Sequence, residues 1–415
     1  MKRISFLIGL LLLSVLVTAN TDNNVNKLPK KTVRTIDSLI NRGIKTEVFP
    51  GCQVVVLHHG ELVFDQCYGY QTYRKQLPVT DSTLYDMASV TKAAATTLAV
   101  MKLYDEGKIK LYDTIGAYLP YLRGTNKSQI FIIELLTHTS GMPAFIPFYK
   151  KICNKDCYIV PYPSEQFSVQ IADSCYLRND YQDSVRYQIA HCKLGAKKYV
   201  YSDLNFFFLK EMVEYVSGMP MDEYLQYNFY QPMGLKYTCF NPLRHGFSKS
   251  DIAPTEFDTL FRHQVVEGYV HDQTAALFDG NAGNAGLFST AREIAAIFQM
   301  LMDGGIYQGQ RLLSEKTVKF FTKTFPIHGC QRRALGFDTP CFEKANGVLP
   351  SMACNKTYGH QGFTGNVVWC DPERELVYVF ISNRVHPFSE PNKLVKSKIR
   401  LTVHEAVYRG LSIYQ

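Results

Sequence analysis

The sequence predicts an α+β fold: one antiparallel sheet built from both ends of the chain, flanked by terminal helices, with a helical lobe inserted in its middle. Three observations predict it. Residues 52–70 are rich in strand-forming residues and contain a turn at 59–60. Residues 362–382 show the same pattern near the other end. Between them, about 107–290 consists of helical patterns broken by loops.

The segment 1–19 is typical of a secretory signal peptide. Two cations precede the apolar run 4–17, and small residues at 17–19 offer a cleavage site. About fourteen apolar residues are too few to span a bilayer comfortably. We therefore expect cleavage rather than a stable membrane anchor, and a periplasmic or secreted protein. Residues 20–31 are polar and predict a loose tether, followed by one domain over 32–410.

Charge and cysteine content limit the partners and cofactors. The 415-residue chain has a formal net charge of +8 scattered without a basic block, so no nucleic-acid partner is expected. Eleven cysteines are an odd number, so at least one thiol stays unpaired in a monomer. Cys153, Cys157, Cys175 and Cys192 cluster within 150–198, where one or two disulfides or a metal site could form. The paired Cys-x-x-Cys spacing of structural zinc sites is absent, so neither a metal nor another cofactor is predicted.

The first element after the tether is an amphipathic helix. Apolar residues recur at 33, 36, 39 and 40, and Gly43 ends the run. Strands over 52–58 and 61–70 follow as a hairpin. This order places the next helix, which contains Ser89, between a sheet and a helical region.

The lobe and the end of the chain show further patterns. Residues 206–217 are apolar and helical, and 279–287 is rich in Gly, Asn and Ala, which predicts a loop whose backbone approaches a neighbour closely. Strands are predicted over 362–370 and 375–382. A final amphipathic helix is predicted over 394–407.

Ser89 and Lys92 form the first chemically informative motif. Residues three apart on a helix share a face, so the Lys92 amine is expected beside the Ser89 hydroxyl. A serine hydroxyl is a poor nucleophile until a base takes its proton. A lysine amine can be that base only where burial or nearby positive charge lowers its pKa. About one chance Ser-x-x-Lys match is expected in a chain of this length, and this is the only one.

A second candidate site precedes the 206–217 helix, at Tyr201, Ser202 and Asp203. A tyrosine phenol can relay a proton if a lysine cation nearby lowers its pKa from about 10. The alternative is structural: Ser202 or Asp203 caps the helix while Tyr201 packs in the core.

The third candidate site is the stretch 358–366, which contains His360 and two glycines of interest, Gly362 and Gly365. Glycine lets a backbone N–H approach a substrate oxygen closely, as an oxyanion hole needs. His360 can supply a hydrogen bond or a positive charge to a substrate carboxylate or to Tyr201. The alternative is a turn in which the glycines serve only the bend.

In this order, the three sites resemble the serine β-lactamase-related family, on the branch that contains class C β-lactamases, D-alanyl-D-alanine carboxypeptidases, D-aminopeptidases and related esterases. The resemblance runs from about Thr32 to Arg409. It includes 135–141 and 280–290, which are similar to signature stretches of these proteins. It implies a β-lactamase/transpeptidase-like fold with the site in the cleft between the two lobes.

The resemblance also implies roles for individual residues. Ser89 would be the acylated nucleophile and Lys92 its base partner. Tyr201 would be the proton relay, and His360 stands where many relatives have lysine. Contacts to the substrate are expected from four further residues: Asp203, Gly362, Thr364 and Gly365.

Two departures weaken the case for a true β-lactamase. Relatives that bind β-lactams usually show Tyr-x-Asn, and Asp203 can only accept hydrogen bonds where an asparagine also donates. Asp203 can instead face Lys92 as a counter-ion, which would raise the pKa of that amine and weaken it as a base. His360 replaces a permanent cation by one that is lost near neutral pH.

The sequence thus predicts an exported serine hydrolase that acts through an acyl-enzyme on an ester, amide or D-amino-acid peptide. Its partner would be a small-molecule or peptide substrate, cell-wall derived or scavenged. Two alternatives stay open: a genuine β-lactamase, and a non-catalytic protein that binds peptidoglycan fragments in the same cleft. A metallohydrolase is disfavoured because the eleven histidines are spread out and form no recognisable ligand set.

Overall fold

The computed structural model describes residues 25–152, 158–327, 330–340 and 348–411. The expected signal peptide, residues 20–24 of the expected tether, and Cys153 and Cys157 lie outside this part of the chain. Within it, no helix combines the length and the apolar composition needed to cross a membrane.

Six strands form the main sheet, in the order β1-β3-β2-β16-β15-β14, and every neighbouring pair is antiparallel. Strand β2 (Gly51–His58) comes from the start of the chain and β16 (Leu376–Ser382) from near its end. They pair in the middle of the sheet, where Val54 lies opposite Phe380. This pairing confirms the α+β fold in which both ends of the chain build one antiparallel sheet.

The bounds of the elements are as follows. The strands are β1 Val25–Asn26, β2 Gly51–His58, β3 Glu61–Gly69, β4 Tyr85–Asp86, β5 Ile159–Val160, β6 Val169–Ala172, β7 Cys175–Leu177, β8 Cys239–Phe240, β9 Leu287–Ser289, β10 Ile306–Tyr307, β11 Gln310–Arg311, β12 Phe325–Ile327, β13 Cys330–Arg333, β14 Tyr358–Gln361, β15 Val367–Asp371 and β16 Leu376–Ser382. The α-helices are α1 Lys30–Lys45, α2 Leu98–Asp105, α3 Ile115–Tyr118, α4 Ile132–Leu136, α5 Tyr149–Ile152, α6 Tyr181–His191, α7 Leu204–Ser217, α8 Met221–Leu225, α9 Gln273–Leu277, α10 Ala291–Met302, α11 Glu315–Thr322, α12 Lys393–Ser397 and α13 Ile399–Gly410.

Helices cover both faces of the main sheet. Successive residues of a strand point to opposite faces. Val54 and Val56 of β2 accordingly pack in a cluster with α1 and α13, whereas Val55 joins the larger core that includes α10 and the lobe. Because both faces are buried, β2 is a nearly continuous apolar run of β-branched residues.

The lobe is mixed rather than purely helical, which corrects the prediction for 107–290. Two three-stranded sheets accompany its helices, in the orders β5-β7-β6 and β4-β9-β8. The first of these sheets lies in the segment 150–198. Their strands span two to four residues, which is too short to show a period of two in the sequence.

Two boundaries at the ends of the chain also differ from expectation. Residues 25–31 are not a loose tether, because β1 pairs with β3 and α1 begins at Lys30. The predicted helix 394–407 is divided into α12 and α13 by Lys398, which has a left-handed φ of +54°. A left-handed residue interrupts helical hydrogen bonding, and no glycine marks the position in the sequence.

The predicted strand 362–370 begins too early. The structure contains an edge strand, β14, then a turn, and only then β15. The turn closes because the Gly362 N–H donates to the Asn366 carbonyl at 2.9 Å. Gly365 adopts a φ of +125° within it, a conformation that favours glycine. His360 therefore lies on the edge strand of the main sheet, beside the lobe.

Candidate active site

The loop before Ser89 is held by the buried carboxylate of Asp86. Its Oδ1 accepts from the Ala88 N–H at 2.7 Å, and its Oδ2 accepts from the His271 N–H at 2.6 Å. Burial raises the pKa of Asp86 above its ordinary value. Ala88 has a φ of +46°, which L-residues rarely adopt and which surrounding contacts must enforce. The sharp turn presents a partly exposed Ser89.

Lys92 lies one turn beyond Ser89 and is fully buried. Its Nζ has three acceptors: Ser89 Oγ at 2.9 Å, the Asn284 carbonyl at 2.9 Å and Asp203 Oδ1 at 2.6 Å. Three acceptors satisfy the three N–H bonds of an ammonium group. Burial alone would lower the pKa of Lys92, but Asp203 and Tyr201 outweigh it and raise that pKa. Lys92 is thus a cation at neutral pH, and the geometry does not support the base role that the resemblance implies.

The helix that carries Lys92 opens with a π-helical turn over Lys92–Thr97 before α2. The loop 279–287 packs against this turn. Thr96 Oγ1 donates to the Gly283 carbonyl at 2.7 Å. A Cβ atom on Gly283 would come within 1.9 Å of the Phe206 carbonyl oxygen. The predicted close backbone approach of this loop is confirmed, and π-turns of this kind are common at functional sites.

The Tyr201 phenol faces both the Ser89 hydroxyl and the Lys92 amine. Lys92 Nζ also lies 5.2 Å from the centre of the Tyr201 ring. Burial raises the pKa of the phenol, the Lys92 cation opposes that increase, and Asp203 adds to it. Tyr201 is therefore a neutral phenol at rest, and its oxygen faces a serine hydroxyl and an ammonium group.

The helix-capping alternative for this segment does not account for the side chains. Asp203 occupies the N-cap position of α7, but its carboxylate makes no capping hydrogen bond and pairs with Lys92 instead. The Ser202 hydroxyl donates to the Pro143 carbonyl at 2.6 Å. Asp203 is thus the counter-ion of Lys92, a role that the sequence analysis considered, and its carboxylate is not a hydrogen-bond donor to substrate.

His138 fixes the orientation of Tyr201 from behind. Its carbonyl accepts from the Val200 N–H at 2.9 Å, and its Nδ1 accepts from the Ser202 N–H at 2.9 Å. Its ring stacks on the Tyr201 ring with the centres 4.5 Å apart. Burial, together with the cations of Arg333 and Lys92, holds the pKa of His138 well below its ordinary value. His138 lies in the signature stretch 135–141, but its contact with Tyr201 is not visible in the sequence.

The buried Arg333 forms an ion pair with the partly exposed Asp338 next to the same tyrosine. The Arg333 guanidinium lies 5.8 Å from the centre of the Tyr201 ring, which places a second cation near the phenol. Asp338 opposes the effect of burial and the pKa of Arg333 is raised, while the cations around Asp338 lower the pKa of that carboxyl. No local motif marks either residue, so the sequence offered no signal for them.

His360 is close to Tyr201 but is buried and neutral. The two ring centres are 6.3 Å apart, and His360 is only 1% exposed. Its Nδ1 contacts the Gln361 carbonyl at 2.8 Å, so Nδ1 carries the proton. Burial lowers the pKa of His360 to about 4, against the opposing effect of Asp338. His360 therefore offers no positive charge at neutral pH, in line with the loss of charge expected where histidine replaces lysine.

The three remaining predicted residues support the turn after β14 rather than project side chains toward a substrate. The Thr364 hydroxyl is buried and donates to the Asp86 carbonyl at 2.8 Å. A Cβ atom on Gly362 would lie 2.5 Å from the Met87 carbonyl, so this glycine lets the turn approach the Ser89 loop. A Cβ atom on Gly365 would lie 2.3 Å from Ser382 Oγ. The Thr364 hydroxyl is thus engaged within the protein, and substrate contact by Gly362, Thr364 and Gly365 stays a prediction.

The Gly362 N–H is already used inside the turn, so the neighbouring amides are the candidates for an oxyanion hole. In the part of the chain that the structure describes, neither the Ser89 N–H nor the Phe363 N–H donates to another group. Phe363 is 52% exposed beside this position, and the Arg384 guanidinium lies 4.5 Å from the centre of its ring. The available donors are therefore Ser89 and Phe363.

The described residues show neither a cluster of metal ligands nor a disulfide bond. No three His, Cys, Asp or Glu side chains are grouped there as metal ligands would be. Cys175 and Cys192 carry free thiols. The expected bridges from Cys153 and Cys157 lie outside the described residues.

Comparison with known proteins gives a consistent result. The model of the family described as Beta-lactamase matches residues 36–397. The chain is 30% identical over 394 residues to a protein of Bacillus subtilis (strain 168) named N-acetylmuramyl-L-alanine amidase, covering 88% of this chain and 83% of that protein. It is 31% identical over 376 residues to a protein of Salmonella agona (strain SL483) named "Putative D-alanyl-D-alanine carboxypeptidase", covering 83% and 81%.

Solved structures share the fold at low sequence identity. A penicillin-binding protein homologue from Caulobacter crescentus superposes with a TM-score of 0.65 at 17% identity, covering 94% of this chain and all of that one. A class C β-lactamase gives a TM-score of 0.65 at 17% identity, covering 91% of this chain and 98% of that one. The β-lactamase/transpeptidase-like fold is thereby confirmed.

Proposed function

The chain belongs to the beta-lactamase family of serine hydrolases, and on that premise we propose that it is an exported enzyme that works through an acyl-enzyme at Ser89. The substrate is an ester, an amide or a D-amino-acid peptide of cell-wall or scavenged origin. The observation that carries this proposal is the convergence of Ser89 Oγ, Lys92 Nζ and the Tyr201 phenol on one another.

In the reactive form of the site, the Tyr201 phenol has released its proton to solvent. In the acylation step, Ser89 Oγ attacks the substrate carbonyl, and the Ser89 proton passes to the Tyr201 phenolate oxygen. The phenol cannot hold a negative charge unaided, because burial raises its pKa. The Lys92 ammonium beside both oxygens stabilises the charge as it develops. The N–H groups of Ser89 and Phe363 bind the carbonyl oxygen as it becomes an oxyanion.

Collapse of the tetrahedral intermediate completes the acylation of Ser89. The bond to the leaving group breaks, and the proton held by Tyr201 is transferred to that leaving group, which leaves the acyl group on Ser89. Water then removes the acyl group by the reverse steps. It loses a proton to Tyr201 and attacks the acyl carbonyl, and the proton returns to Ser89 Oγ. Lys92 keeps its proton throughout, because Asp203 raises its pKa.

The electrostatics of the site favour peptidase or esterase activity over β-lactam hydrolysis. Asp203 is committed to Lys92 and can only accept hydrogen bonds, so it cannot donate to the amide side chain of a β-lactam. His360 is neutral and offers no permanent cation to a β-lactam carboxylate. The names of the two relatives, an amidase and a carboxypeptidase, agree with this preference.

Turnover of three substrates separates the candidate activities. We expect p-nitrophenyl acetate or a D-alanyl peptide to be hydrolysed with a higher kcat/KM than nitrocefin. Efficient nitrocefin hydrolysis would identify a genuine β-lactamase and contradict the preference. Saturable binding of peptidoglycan fragments without turnover of any substrate would favour the non-catalytic alternative.

Covalent labelling tests the nucleophile. Wild-type protein treated with a fluorophosphonate should gain one phosphonyl group by intact-protein mass spectrometry, and Ser89→Ala should gain none. Ser82→Ala serves as a control, because Ser82 lies in the segment before Ser89 and its hydroxyl is hydrogen bonded to Thr80 Oγ1. An equal mass increase in Ser89→Ala and Ser82→Ala would refute the assignment of Ser89.

A further inference from the structure

Titratable and charged side chains from several elements lie around the Tyr201 phenol: Lys92, His138, Asp203, Arg333, Asp338 and His360. The two histidines are neutral at neutral pH, because burial lowers the pKa of each. The other four form two ion pairs, one between Lys92 and Asp203 and one between Arg333 and Asp338. The first pair has a role in the proposed function, whereas the second has none so far.

Arg333 ends β13 and carries a buried cation beside Tyr201. Its side chain is 2% exposed, and its guanidinium lies 5.8 Å from the centre of the Tyr201 ring. Its Nη1 donates to Asp338. The pKa of Arg333 is raised, so it stays a cation over the whole working range of pH. The two members of the pair act on Tyr201 in opposite directions, because the cation favours the phenolate whereas Asp338 raises the pKa of the phenol.

The distance between Arg333 and Tyr201 is short enough for the cation to change the ionisation of the phenol. Two unit charges about 9 Å apart change each other's ionisation equilibrium about tenfold at an effective dielectric constant of about 20. The 5.8 Å from the guanidinium to the ring centre keeps the phenol oxygen within that range. Because Arg333 is buried, salt and water screen the interaction little. Loss of the cation should therefore lower the phenolate fraction about tenfold or more.

We propose that Arg333 is a positioning residue of the reaction: its buried cation stabilises the Tyr201 phenolate, the form that accepts the Ser89 proton. This inference rests on the proposed function, in which that phenolate is the base. The Lys92 cation beside the phenol is neutralised by Asp203 at 2.6 Å. A neutral His360 supplies no charge from the edge strand. Arg333 is thus a second permanent cation at the site, and it acts through Tyr201 without touching the substrate.

The rate of fluorophosphonate labelling of Ser89 at neutral pH tests the role, because this rate follows the phenolate fraction. Arg333→Gln should label about tenfold more slowly than wild type or slower still, and Arg333→Lys, which keeps a cation, should recover most of the rate. Asp338→Asn should label faster than wild type, because it removes the opposing anion and keeps an acceptor for Arg333. Damage to the fold would instead slow both Arg333→Gln and Asp338→Asn.

Arg178→Gln is the matched control for the loss of one arginine. Arg178 follows β7, pairs with Asp180 at 2.6 Å and lies 4.7 Å from the centre of the Tyr158 ring, so it has the same kinds of partner in another part of the lobe. Its labelling rate should equal that of wild type. A rate of Arg333→Gln equal to that of Arg178→Gln, or slower labelling in Asp338→Asn than in wild type, would overturn the inference.

The ionisation of Tyr201 in the resting protein is a readout that does not require catalysis. NMR of tyrosine labelled at Cζ follows the phenols as pH rises, and Tyr201→Phe assigns the resonance. Asp338→Asn should form the phenolate at a lower pH than wild type, and Arg333→Gln at a higher pH. This order in a protein whose Ser89 is never labelled would contradict the proposed function, while the effect of Arg333 on Tyr201 would stand. The same pH in wild type and Arg333→Gln would overturn the inference even where Ser89 is labelled.

Discussion

His138 shows how a residue remote from the reacting atoms can determine the geometry of a proton relay. It accepts hydrogen bonds from the residues on both sides of Tyr201 and stacks on the tyrosine ring. The position of the phenol oxygen relative to Ser89 is set by these three contacts. His138 is therefore a positioning residue in the proposed mechanism, not a proton donor or acceptor.

Replacement of His138 should lower kcat more than it changes KM. In His138→Phe the ring stacking remains, but the Ser202 N–H loses its acceptor and Tyr201 can shift. A displacement near 1 Å can cost about 100-fold in rate, and we expect a loss of that order in kcat. His138→Asn restores an acceptor and should recover part of kcat. Steady-state kinetics with an ester substrate provide the measurement, and equal kcat in His138→Phe and wild type would contradict the role.

The Asp203–Lys92 ion pair makes a prediction about pH. The pKa of Lys92 is raised in the folded protein, so the stabilisation from the pair is present below the unfolded pKa of about 10.4 and is lost as pH rises through the folded value. Asp203→Asn removes the anion, and the pKa of the buried amine should fall. Because the mechanism needs Lys92 as a cation, activity of the variant should decline at a lower pH than that of wild type.

The kcat/KM profile of Asp203→Asn over about pH 6 to 11 tests this expectation. Asp183→Asn is the control, because that carboxylate pairs with Arg186 on the surface, and its alkaline limb should match wild type. An alkaline limb of Asp203→Asn that coincides with wild type would show that Asp203 does not set the charge state of Lys92.

At the scale of elements, the turn between β14 and β15 joins the main sheet to the Ser89 loop. Thr364 Oγ1 and Asn366 Nδ2 both donate to the Asp86 carbonyl at 2.8 Å. Asp86 in turn holds Ala88 with its carboxylate. The edge of the sheet and the nucleophile loop are thus fixed to each other, which keeps the Phe363 and Ser89 amides on one side of the cleft.

Substitution of Gly365 should disrupt this turn. Gly365→Ala places a Cβ atom 2.3 Å from Ser382 Oγ at a φ of +125°, so both steric overlap and backbone strain oppose it. We expect the free energy of unfolding to fall by about 3 kcal/mol or more. In Gly107→Ala, at a φ of +70° with no atom within 4 Å, the loss should be about 1 kcal/mol. Urea unfolding of both variants measures the difference, and equal losses would contradict the account of the turn.

At the scale of the whole molecule, the sequence predicted the architecture because the strands of the sheet are long apolar runs. The residues of β2 and β16 are mostly apolar, so the burial of these strands can be predicted from the sequence. The short strands of the lobe and the break at Lys398 depend on contacts distant in the chain, which local patterns do not encode. The turn at 362–366 directly precedes the apolar residues of β15, so the sequence pattern predicts a strand that begins at 362 rather than at Val367.

The contacts of the site could be predicted where the residues are close in the sequence. They could not be predicted where the residues are brought together only by the fold. Lys92 lies three positions after Ser89, and helical geometry alone places their side chains together. The charge states of Lys92 and His360 depend on Asp203, Arg333 and burial, which only the fold brings together. For the same reason, the sequence did not reveal the contact between His138 and Tyr201.

The central claim is that a transient acyl group forms on one serine in the cleft between sheet and lobe. It is tested most directly by quenching the enzyme in acid during turnover of an ester and mapping the acylated peptide by mass spectrometry. The account predicts one acyl group per chain, on the peptide that contains Ser89 and at that residue. An acyl group on any other residue, or hydrolysis with no acylated peptide even when deacylation is rate-limiting, would contradict it.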